Sequence, residues 1–247
     1  AVSLAGVKAL EEQGDLWLST TGRFVAGHGR GEITALAAVD ALTAGEAAQL
    51  TRARARAVAA AYPPEQGATC TVHGLDLAAV QALAGQAAEH GVCELARDDA
   101  PDSHAVSGAR EAVARFADLA RGQGGETLVV NGIPPTHCRL MAPAAEKLRQ
   151  TLADLPVAAP KLPLVSNVTA YALESPDEIR SRLAEQVARP IRWRESVAYM
   201  TDHGVSEFLE IGHGDDLSSF VRAVEGSHQA HAIEDAQDIE RALDDDL

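Results

Sequence analysis

The sequence of 247 residues has little cysteine, and its three cysteines are widely spaced. Cys70, Cys93 and Cys138 form no C-x-x-C pair. This pattern predicts neither a disulfide framework nor a cysteine zinc site, and it indicates a reducing cytoplasm as the compartment. No apolar run approaches the ~20 residues that cross a bilayer. We also expect no signal peptide, because the first residues already have helical spacing.

Positive charge is scarce as well. The sequence has 21 lysines and arginines against 36 aspartates and glutamates, for a formal net charge of -15. This balance argues against nucleic acid and against an anionic membrane as partners. Against that background, Arg52, Arg54 and Arg56 alternate along one predicted helix. Because this spacing spreads the three side chains over about 200° of the helix, we expect at least one to point away from solvent.

One further absence concerns a single side chain. The stretch from Phe24 to Leu36, FVAGHGRGEITAL, reads as a short strand, a Gly-His-X-X-Gly turn and a helix. That order is typical of a nucleophile elbow, in which a sharp turn presents a reactive side chain at its tip. Here the tip is Gly29, which has no side chain. We expect Gly27 and Gly31 to permit the tight packing of the elbow.

Strand and helix patterns alternate along the rest of the chain, and 46% of its residues are hydrophobic. The alternation predicts an α/β fold with a mostly parallel sheet. Between residues 66 and 131 the order becomes β-α-β-β-α-β, which is typical of a ferredoxin-like module. We therefore predict an α/β hydrolase-like subdomain from 1–65 and 132–247, with an inserted ferredoxin-like α+β subdomain at 66–131. The active site is expected in the cleft between them.

The individual elements follow from periodicity and from capping signals. Thr43 and Glu46 have the spacing of a capping box, which opens a helix that runs to about Ala61. In the inserted module we predict strands at 69–73, 92–95, 104–106 and 127–130, with a loop between the middle two, and helices at 76–90 and 109–121. Elsewhere we predict strands at 24–26, 162–167 and 208–211, and helices at 1–13, 31–38, 142–155, 177–188, 194–202 and 217–224.

Four motifs occur in order: GHGRGE at 27–32, LTRARA at 50–55, THCRLMAP at 136–143 and QVARPIRW at 186–193. A VSN strand at 165–167 and an EIGHG turn at 210–214 complete the set. Together they resemble the acyltransferases that load malonyl groups onto acyl carrier proteins. These are the malonyl-CoA:ACP transacylases of fatty-acid synthesis and the acyltransferase domains of polyketide synthases. The resemblance spans nearly the whole chain and includes the inserted module.

The resemblance implies a catalytic role for four positions. In the family a serine at position 29 attacks the thioester, and His137 would take its proton and later assist the leaving thiol. The backbone carbonyl of Gln186 would orient that histidine. The backbone N–H of Arg30 would stabilise the oxyanion.

It also implies four substrate-binding residues. Arg54 matches the family arginine that pairs with the malonyl carboxylate, which selects a dicarboxylic acyl unit. His28 matches a residue that lines the acyl pocket. Asn167 in the VSN strand and Asp99 at the start of a loop beside the pocket would also bind substrate.

Three features depart from the family pattern. Gly29 replaces the serine and cannot form an acyl-enzyme. The family opens with a strand and a GQGSQ-like loop that supplies the second oxyanion N–H; this sequence begins after that segment. We expect a trimmed chain there, since a parallel sheet without the strand would expose an apolar edge. Finally, Asp98 and Asp99 place negative charge near the acyl pocket, and we expect their repulsion of a malonyl carboxylate to reach several kcal/mol.

Three functions remain open from the sequence. The first is an acyltransferase that moves a malonyl-type or related acyl group from CoA or a carrier protein to an acyl carrier protein, impaired because Gly29 replaces the serine. The second is a natural pseudo-acyltransferase that serves as a carrier-protein binding or scaffold module. The third is a thioester hydrolase that uses water activated by His137. The retention of His137, Gln186 and Arg54 favours the first, whereas the altered loop at 99–103 favours the second.

The expected ligands and partners are few. We expect no cofactor and no metal site, with a CoA thioester or a phosphopantetheine-bound acyl group as substrate, an acyl carrier protein as partner, and a monomer. Cys138 is not expected to replace the nucleophile. His213 is interpreted as a structural residue of its glycine-rich turn. The other histidines are interpreted as surface residues: His73, His90, His104, His203, His228 and His231.

Overall fold

The computed structural model describes residues 2–14, 21–224 and 229–244. Within these ranges the helices are α1 (Val2–Gly14), α2 (Gly31–Ala38), α3 (Ala44–Ala61), α4 (Leu77–Ala87), α5 (Arg110–Gly122), α6 (Ala142–Ala153), α7 (Pro176–Glu185), α8 (Trp193–Asp202), α9 (Asp216–Ala223) and α10 (Ala236–Asp244). The strands are β1 (Val25–Ala26), β2 (Gly67–His73), β3 (Cys93–Ala100), β4 (Ser103–Ala109), β5 (Glu126–Asn131), β6 (Leu164–Val165), β7 (Ala172–Leu173), β8 (Glu207–Ile211) and β9 (Gln229–Ile233).

The strands form three sheets in the described ranges. β1 pairs in parallel with β6, and β7 adds to β6 in the antiparallel direction. β8 and β9 form a parallel pair. The third sheet is antiparallel, with the strand order β3-β4-β2-β5. This mixture of parallel pairs with helical connections and one antiparallel module is the α/β architecture that the sequence predicts.

The antiparallel module has a clear apolar layer. Along β2, Ala68, Cys70 and Val72 are buried while the residues between them are less so, which is the two-residue period of a half-buried strand. These side chains pack against the apolar faces of α4 and α5, where Leu83 and Phe116 lie at the centre. The two helices therefore cover one face of the sheet.

The hairpin of β3 and β4 differs from the prediction. Short strands with a loop between them were expected. Instead, β3 and β4 pair from Cys93 with Gly108 down to Ala100 with Ser103, and the chain turns tightly at 101–102. Asp98 and Asp99 lie inside β3 rather than in a loop, and both are buried. They are compatible with a strand here because cationic side chains from other parts of the chain meet them.

The larger part of the chain packs α3, α6 and α7 around one apolar cluster with Leu36, Leu50, Leu148 and Leu164 at its centre. The predicted capping box is confirmed, since Thr43 and Glu46 exchange both side-chain to backbone hydrogen bonds at the start of α3. The sequence patterns did not reveal β7 and β9. The strand expected at 162–167 is reduced to β6, and the helix expected at 177–188 ends as α7 with a 3-10 turn at Gln186–Ala188.

A short backbone contact ties the antiparallel module to the larger part. The N–H of Ile191 donates to the carbonyl of Ala96, and the N–H of Asp98 donates to the carbonyl of Ile191, both at 2.9 Å. The end of β3 therefore lies directly against the segment that follows α7. Among the described residues, no helix combines the length and the apolar composition that crossing a membrane requires.

Candidate active site

The elbow lies between β1 and α2. Gly29 has a φ of +56°, a left-handed conformation that glycine adopts without the steric cost of a Cβ. Its N–H donates to Asn167 Oδ1 at 2.7 Å, and its carbonyl accepts from Gln186 Nε2 at 2.7 Å. Both backbone groups of the tip are therefore held by buried side-chain amides.

The two flanking glycines differ. A Cβ at Gly27 would lie 2.1 Å from the backbone carbon of Gly31, so the elbow requires glycine at position 27. A Cβ at Gly31 would meet no atom within 4 Å. The expectation that both glycines permit tight packing is thus correct for Gly27 and wrong for Gly31. The close contact is made by the missing Cβ of Gly27 with the backbone of residue 31, and it does not depend on the side chain at position 31.

His137 faces the tip of the elbow. A Cβ built on Gly29 would lie 3.8 Å from His137 Nε2 and 3.5 Å from Ile191 Cδ1. A hydroxyl one bond beyond that Cβ can reach the ~2.6–3.2 Å of a hydrogen bond to Nε2 when its rotamer turns it toward the histidine. His137 itself has a φ of +68°, and its N–H donates to the carbonyl of Val187 at 2.7 Å. A residue in this strained conformation, fixed by its neighbours, is a feature of functional sites.

The state of the His137 ring follows from its surroundings. Nδ1 lies 2.9 Å from the backbone carbonyl of Gln186, which can only accept, so Nδ1 carries the proton. Burial lowers the pKa of His137 to about 3, with a further contribution from the charge of Arg54 and opposed by the hydrogen bond to Gln186. The imidazole is therefore neutral near pH 7, and the lone pair of Nε2 points toward residue 29.

Behind the elbow lies a buried network of three polar side chains, Glu32, Asn167 and Gln186. Asn167 Nδ2 donates to the carbonyl of Gly27 at 2.8 Å, and the Asn167 N–H donates to Glu32 Oε1 at 3.0 Å. Gln186 Nε2 donates both to Glu32 Oε2 and to the carbonyl of Gly29. Each of the three side chains is at most 2% exposed. The network therefore links the elbow, the segment after β6 and the residue whose carbonyl orients His137.

The three alternating arginines separate as the helical spacing predicts. Arg54 is 8% exposed, whereas Arg52 and Arg56 are exposed on α3. Arg54 Nη2 lies 3.5 Å from Gln186 Oε1. Burial and the nearby charge of Arg30 lower the pKa of Arg54 to about 10, against the opposing charge of Glu32, so the guanidinium remains charged at neutral pH.

His28 and Asp99 meet on the other side of the elbow. His28 Nε2 lies 2.7 Å from Asp99 Oδ1, and the edge of the His28 ring contacts Trp193 with the ring centres 5.5 Å apart. Asp99 Oδ2 is 3.4 Å from Arg97 Nε, and the Asp99 side chain has no exposed surface. The carboxylate of Asp99 is therefore held between an imidazole and a guanidinium.

Asp98 is paired in a similar way. Arg194 binds it through two hydrogen bonds, of 3.1 Å to Oδ1 and 2.8 Å to Oδ2, and His104 Nδ1 lies 3.2 Å from Oδ1. Burial by itself raises the pKa of Asp98, but the hydrogen bonds from His104 and Arg194 outweigh it and hold the pKa below its usual range. The guanidinium groups of Arg194 and Arg97, beside Asp98 and Asp99, therefore oppose the expected repulsion of a ligand carboxylate by these two residues.

Arg30 and Cys138 lie at the edges of the site. Arg30 is the N-cap of α2 with an exposed side chain, which places its N–H at the positive end of the helix. Cys138 is 1% exposed, its Sγ donates to the carbonyl of Pro135 at 3.1 Å, and burial raises the pKa of its thiol. A buried thiol with a raised pKa is a poor nucleophile.

Sequence reasoning missed several residues of this site. Glu32 was interpreted only as part of the elbow motif. Ile191, whose Cδ1 lies 3.5 Å from the Cβ position of residue 29, was not singled out. His104 was interpreted as a surface residue, which is wrong, because it is completely buried beside Asp98. His228 lies outside the described residues. No group of three metal-binding side chains occurs within 2–14, 21–224 and 229–244.

Comparison with known proteins places these features in a family. Residues 1–240 match the family model described as "Acyl transferase domain". The chain is 32% identical over 245 residues to the malonyl CoA-acyl carrier protein transacylase of Bacillus subtilis (strain 168), covering 98% of this chain and 75% of that protein.

Solved structures agree with the sequence comparison. An acyl-carrier-protein-S-malonyltransferase from Bartonella henselae is similar with a TM-score of 0.94 at 32% identity, covering 98% of this chain and 77% of that one. A solved complex of a type II PKS acyl-carrier protein with its malonyl-transacylase contains a chain that is similar with a TM-score of 0.89 at 29% identity. The match covers 98% of this chain and 78% of that one. These similarities confirm the predicted fold class. The chain belongs to the acyl transferase domain family, and its fold is that of an acyltransferase enzyme.

Proposed function

We propose that this chain binds a malonyl-type or related acyl thioester of CoA or of a carrier protein, at a site built to pass the acyl group to an acyl carrier protein. The process would be fatty-acid or polyketide biosynthesis. The observation that carries the proposal is the approach of His137 Nε2 to within 3.8 Å of the Cβ position at residue 29. We further propose that Gly29 occupies the nucleophile position, so that the chain as it stands binds the thioester without becoming acylated.

The proposed chemistry uses groups already in place. With a serine hydroxyl at position 29, Nε2 of His137 would accept the hydroxyl proton as the oxygen attacks the thioester carbon. The Nδ1–H to Gln186 carbonyl hydrogen bond would hold the ring in the required tautomer. The N–H of Arg30 at the start of α2 would stabilise the oxyanion. Return of the proton from Nε2 would then release the thiol.

The proposed substrate contacts centre on Arg54. A buried guanidinium that hydrogen-bonds only weakly, at 3.5 Å, to a neutral amide is available to a ligand carboxylate. We propose that His28 lines the acyl site and that Asp99 acts through His28. Asn167 was expected to bind substrate, but both ends of its side-chain amide bind elbow backbone. We therefore propose that it supports the elbow.

A hydrolase is a weaker alternative. The space above Gly29 lies beside an unprotonated imidazole, which is where an attacking water would need to be. His137 would be the base toward either nucleophile, but a water above Gly29 is not held in place by a covalent bond as a side-chain hydroxyl at position 29 would be. We propose the hydrolase only as an outcome for the test below.

The test is the Gly29→Ser variant with malonyl-CoA and an acyl carrier protein. Because serine and histidine act as a unit, restoring the hydroxyl should raise transfer to the carrier protein by up to about a million-fold over the unmodified chain. Gly29→Ala is the matched control, since it introduces the same left-handed strain without a hydroxyl. Hydrolysis of the thioester by the unmodified chain at a rate equal to that of the serine variant would support the hydrolase instead.

Arg54 provides the substrate control. In the serine background, Arg54→Ala should abolish transfer of malonyl while sparing acetyl, and Arg52→Ala on the exposed face of the same helix should change neither. If the folded serine variant transfers no acyl group from any thioester yet still binds a carrier protein, the proposed transfer is wrong and a pseudo-acyltransferase that serves as a binding or scaffold module is the better description.

A further inference from the structure

The carboxylate of Glu32 has no assigned role, although it lies at the centre of the site. Glu32 is 1% exposed and accepts hydrogen bonds from the N–H of Asn167 and from Gln186 Nε2. The other end of the same Gln186 amide, Oε1, faces Arg54 Nη2 at 3.5 Å. One neutral amide therefore separates a buried anion from a buried cation.

This arrangement makes Glu32 an internal counter-ion of Arg54. There is no direct ion pair between them within 4.0 Å among the described residues, but each charge stabilises the other: Arg54 lowers the pKa of Glu32, and Glu32 raises that of Arg54. The amide of Gln186 is oriented with its NH2 group toward the anion and its oxygen toward the cation. A ligand carboxylate arriving at Arg54 would meet a cation whose field is already partly cancelled by Glu32.

The other charged groups around Glu32 are accounted for. Arg30, two residues before it, acts on Arg54 and has an exposed side chain. His137, in the segment before α6, is neutral at pH 7 because burial lowers its pKa to about 3. From the antiparallel module, Asp99 is paired with His28 and Arg97. Among the residues that the structure describes, Arg54 is the charge that acts on Glu32 from a neighbouring element.

Glu32 also titrates in a useful range. Burial raises its pKa to about 7, although the hydrogen bonds from Asn167 and Gln186 and the charge of Arg54 lower it. Bringing a second carboxylate to Arg54 disfavours the charged form of Glu32 further, because like charges in one site raise each other's pKa. The carboxylate of the ligand, paired directly with the guanidinium of Arg54, would remain ionised, because an adjacent opposite charge favours the charged form.

We propose that Glu32 is a specificity-determining residue that competes with the ligand carboxylate for Arg54, so that a dicarboxylic acyl thioester binds together with one proton taken up by Glu32. The proposal rests on the proposed function, in which Arg54 receives the acyl carboxylate. By linkage, the preference for a charged over an uncharged acyl group then falls as the pH rises. Uncharged acyl groups bind without competing with Glu32 for Arg54 and therefore without the uptake of a proton.

The experiment uses the unmodified chain, because a protein with Gly29 binds the thioester without forming an acyl-enzyme. Calorimetric titrations with malonyl-CoA and with acetyl-CoA between pH 6 and 8.5 give two affinities at each pH. The two ligands share the phosphates of CoA, so the ratio of affinities isolates the acyl carboxylate. We expect this ratio to fall by about tenfold over the range, since one coupled proton changes affinity by at most tenfold per pH unit. Repeating the titrations in buffers of different ionisation enthalpy should show proton uptake with malonyl-CoA alone.

Two variants complete the test. Glu32→Gln should make the ratio independent of pH and remove the proton uptake, while Glu111→Gln, at an exposed position on α5, should behave as the unmodified chain. Should Glu32→Gln fail to fold, proton uptake by the unmodified chain still decides the question. A malonyl preference that requires Arg54 but has the same size at every pH would overturn the role of Glu32 alone. Equal affinities for both thioesters at all pH values, unaffected by Arg54→Ala, would instead overturn the proposed function.

Discussion

The two sides of the elbow stabilise their polar groups in different ways. On the side of His137, the partners are neutral amides and carbonyls: Gln186 contacts the histidine, the elbow backbone and Glu32. On the side of β3, each carboxylate lies against a guanidinium: Asp98 binds Arg194, and Asp99 lies 3.4 Å from Arg97 as well as beside His28. On the first side the amide of Gln186 separates the charges of Glu32 and Arg54, whereas on the second side a guanidinium meets each carboxylate directly. Chemistry and ligand selection are therefore expected on the first side, and rigidity on the second.

The largest expected effect distinguishes the two histidines of these sides. In the Gly29→Ser background, His137→Ala should remove most of the transfer rate, by up to about a million-fold, because the base and the nucleophile act as a unit. His28→Ala should cost far less, since its ring is bound to Asp99 and supports the pocket. Single-turnover acylation with malonyl-CoA measures both. Equal losses for the two variants would contradict the assignment of the base to His137.

The next effect concerns the ion pairs of the β3 side. Asp98→Ala leaves His104 buried without its carboxylate and removes both hydrogen bonds of Arg194, so we expect a loss of about 3 kcal/mol in the free energy of unfolding. Urea denaturation measures it. The control is Asp118→Ala on α5, whose pair with Arg121 is solvent-exposed and should contribute less than about 1 kcal/mol. If both variants cost the same, the buried pair does not stabilise the β3 side.

A smaller effect concerns pH and the side of His137. The pKa of Glu32 is raised from 4.5 to about 7 in the folded state, so the folded protein binds more protons than the unfolded chain between these values. The contribution of this group to stability is therefore present at low pH and is lost as the pH rises from about 5 to 8, by roughly 2 kcal/mol. His137, whose pKa is lowered to about 3, changes the stability in the opposite direction over part of this range, so the prediction concerns a difference. The stability of Glu32→Gln relative to the unmodified chain should rise with pH by this amount in unfolding curves measured at several pH values. An unchanged slope would indicate that Glu32 is ionised throughout.

The smallest effect is an expected lack of reaction. Cys138 is buried with a raised pKa, so the unmodified chain should form no acyl adduct with malonyl-CoA or acetyl-CoA, and a thiol reagent should modify Cys138 only as fast as the protein opens. Intact-mass measurement with peptide mapping tests this. An acyl group on Cys138 would make that thiol the nucleophile and would change the account of the site.

The features that were predictable from the sequence depend on local spacing. The capping box of Thr43 and Glu46 and the burial of one arginine out of three follow from helical spacing, and the turn at Gly29 follows from the strand, glycine-rich turn and helix that succeed one another there; the structure contains all of them. The segment containing His137 was recognisable only through its resemblance to the family motif, since periodicity alone does not single out that histidine.

What was missed depends on contacts between distant parts of the chain. Asp98 and Arg194 are 96 residues apart in sequence, and Glu32 and Gln186 are 154 apart. No local pattern indicates that an acidic pair such as Asp98 and Asp99 will meet cations, so its charge was expected to repel the ligand. The burial of His104 was missed for a local reason: a loop was expected between the strands at 92–95 and 104–106, whereas β3 and β4 pair there and set His104 opposite Asp98.

The central claim is that the space above Gly29 is a nucleophile position served by His137. Its most direct test is the intact mass of Gly29→Ser after brief mixing with malonyl-CoA, alongside Gly29→Ala and the double variant Gly29→Ser/His137→Ala. The account predicts one malonyl group per chain on residue 29 of the serine variant, and none on either of the others. Acylation of the double variant at the same rate, or no acylation of a folded serine variant, would contradict it.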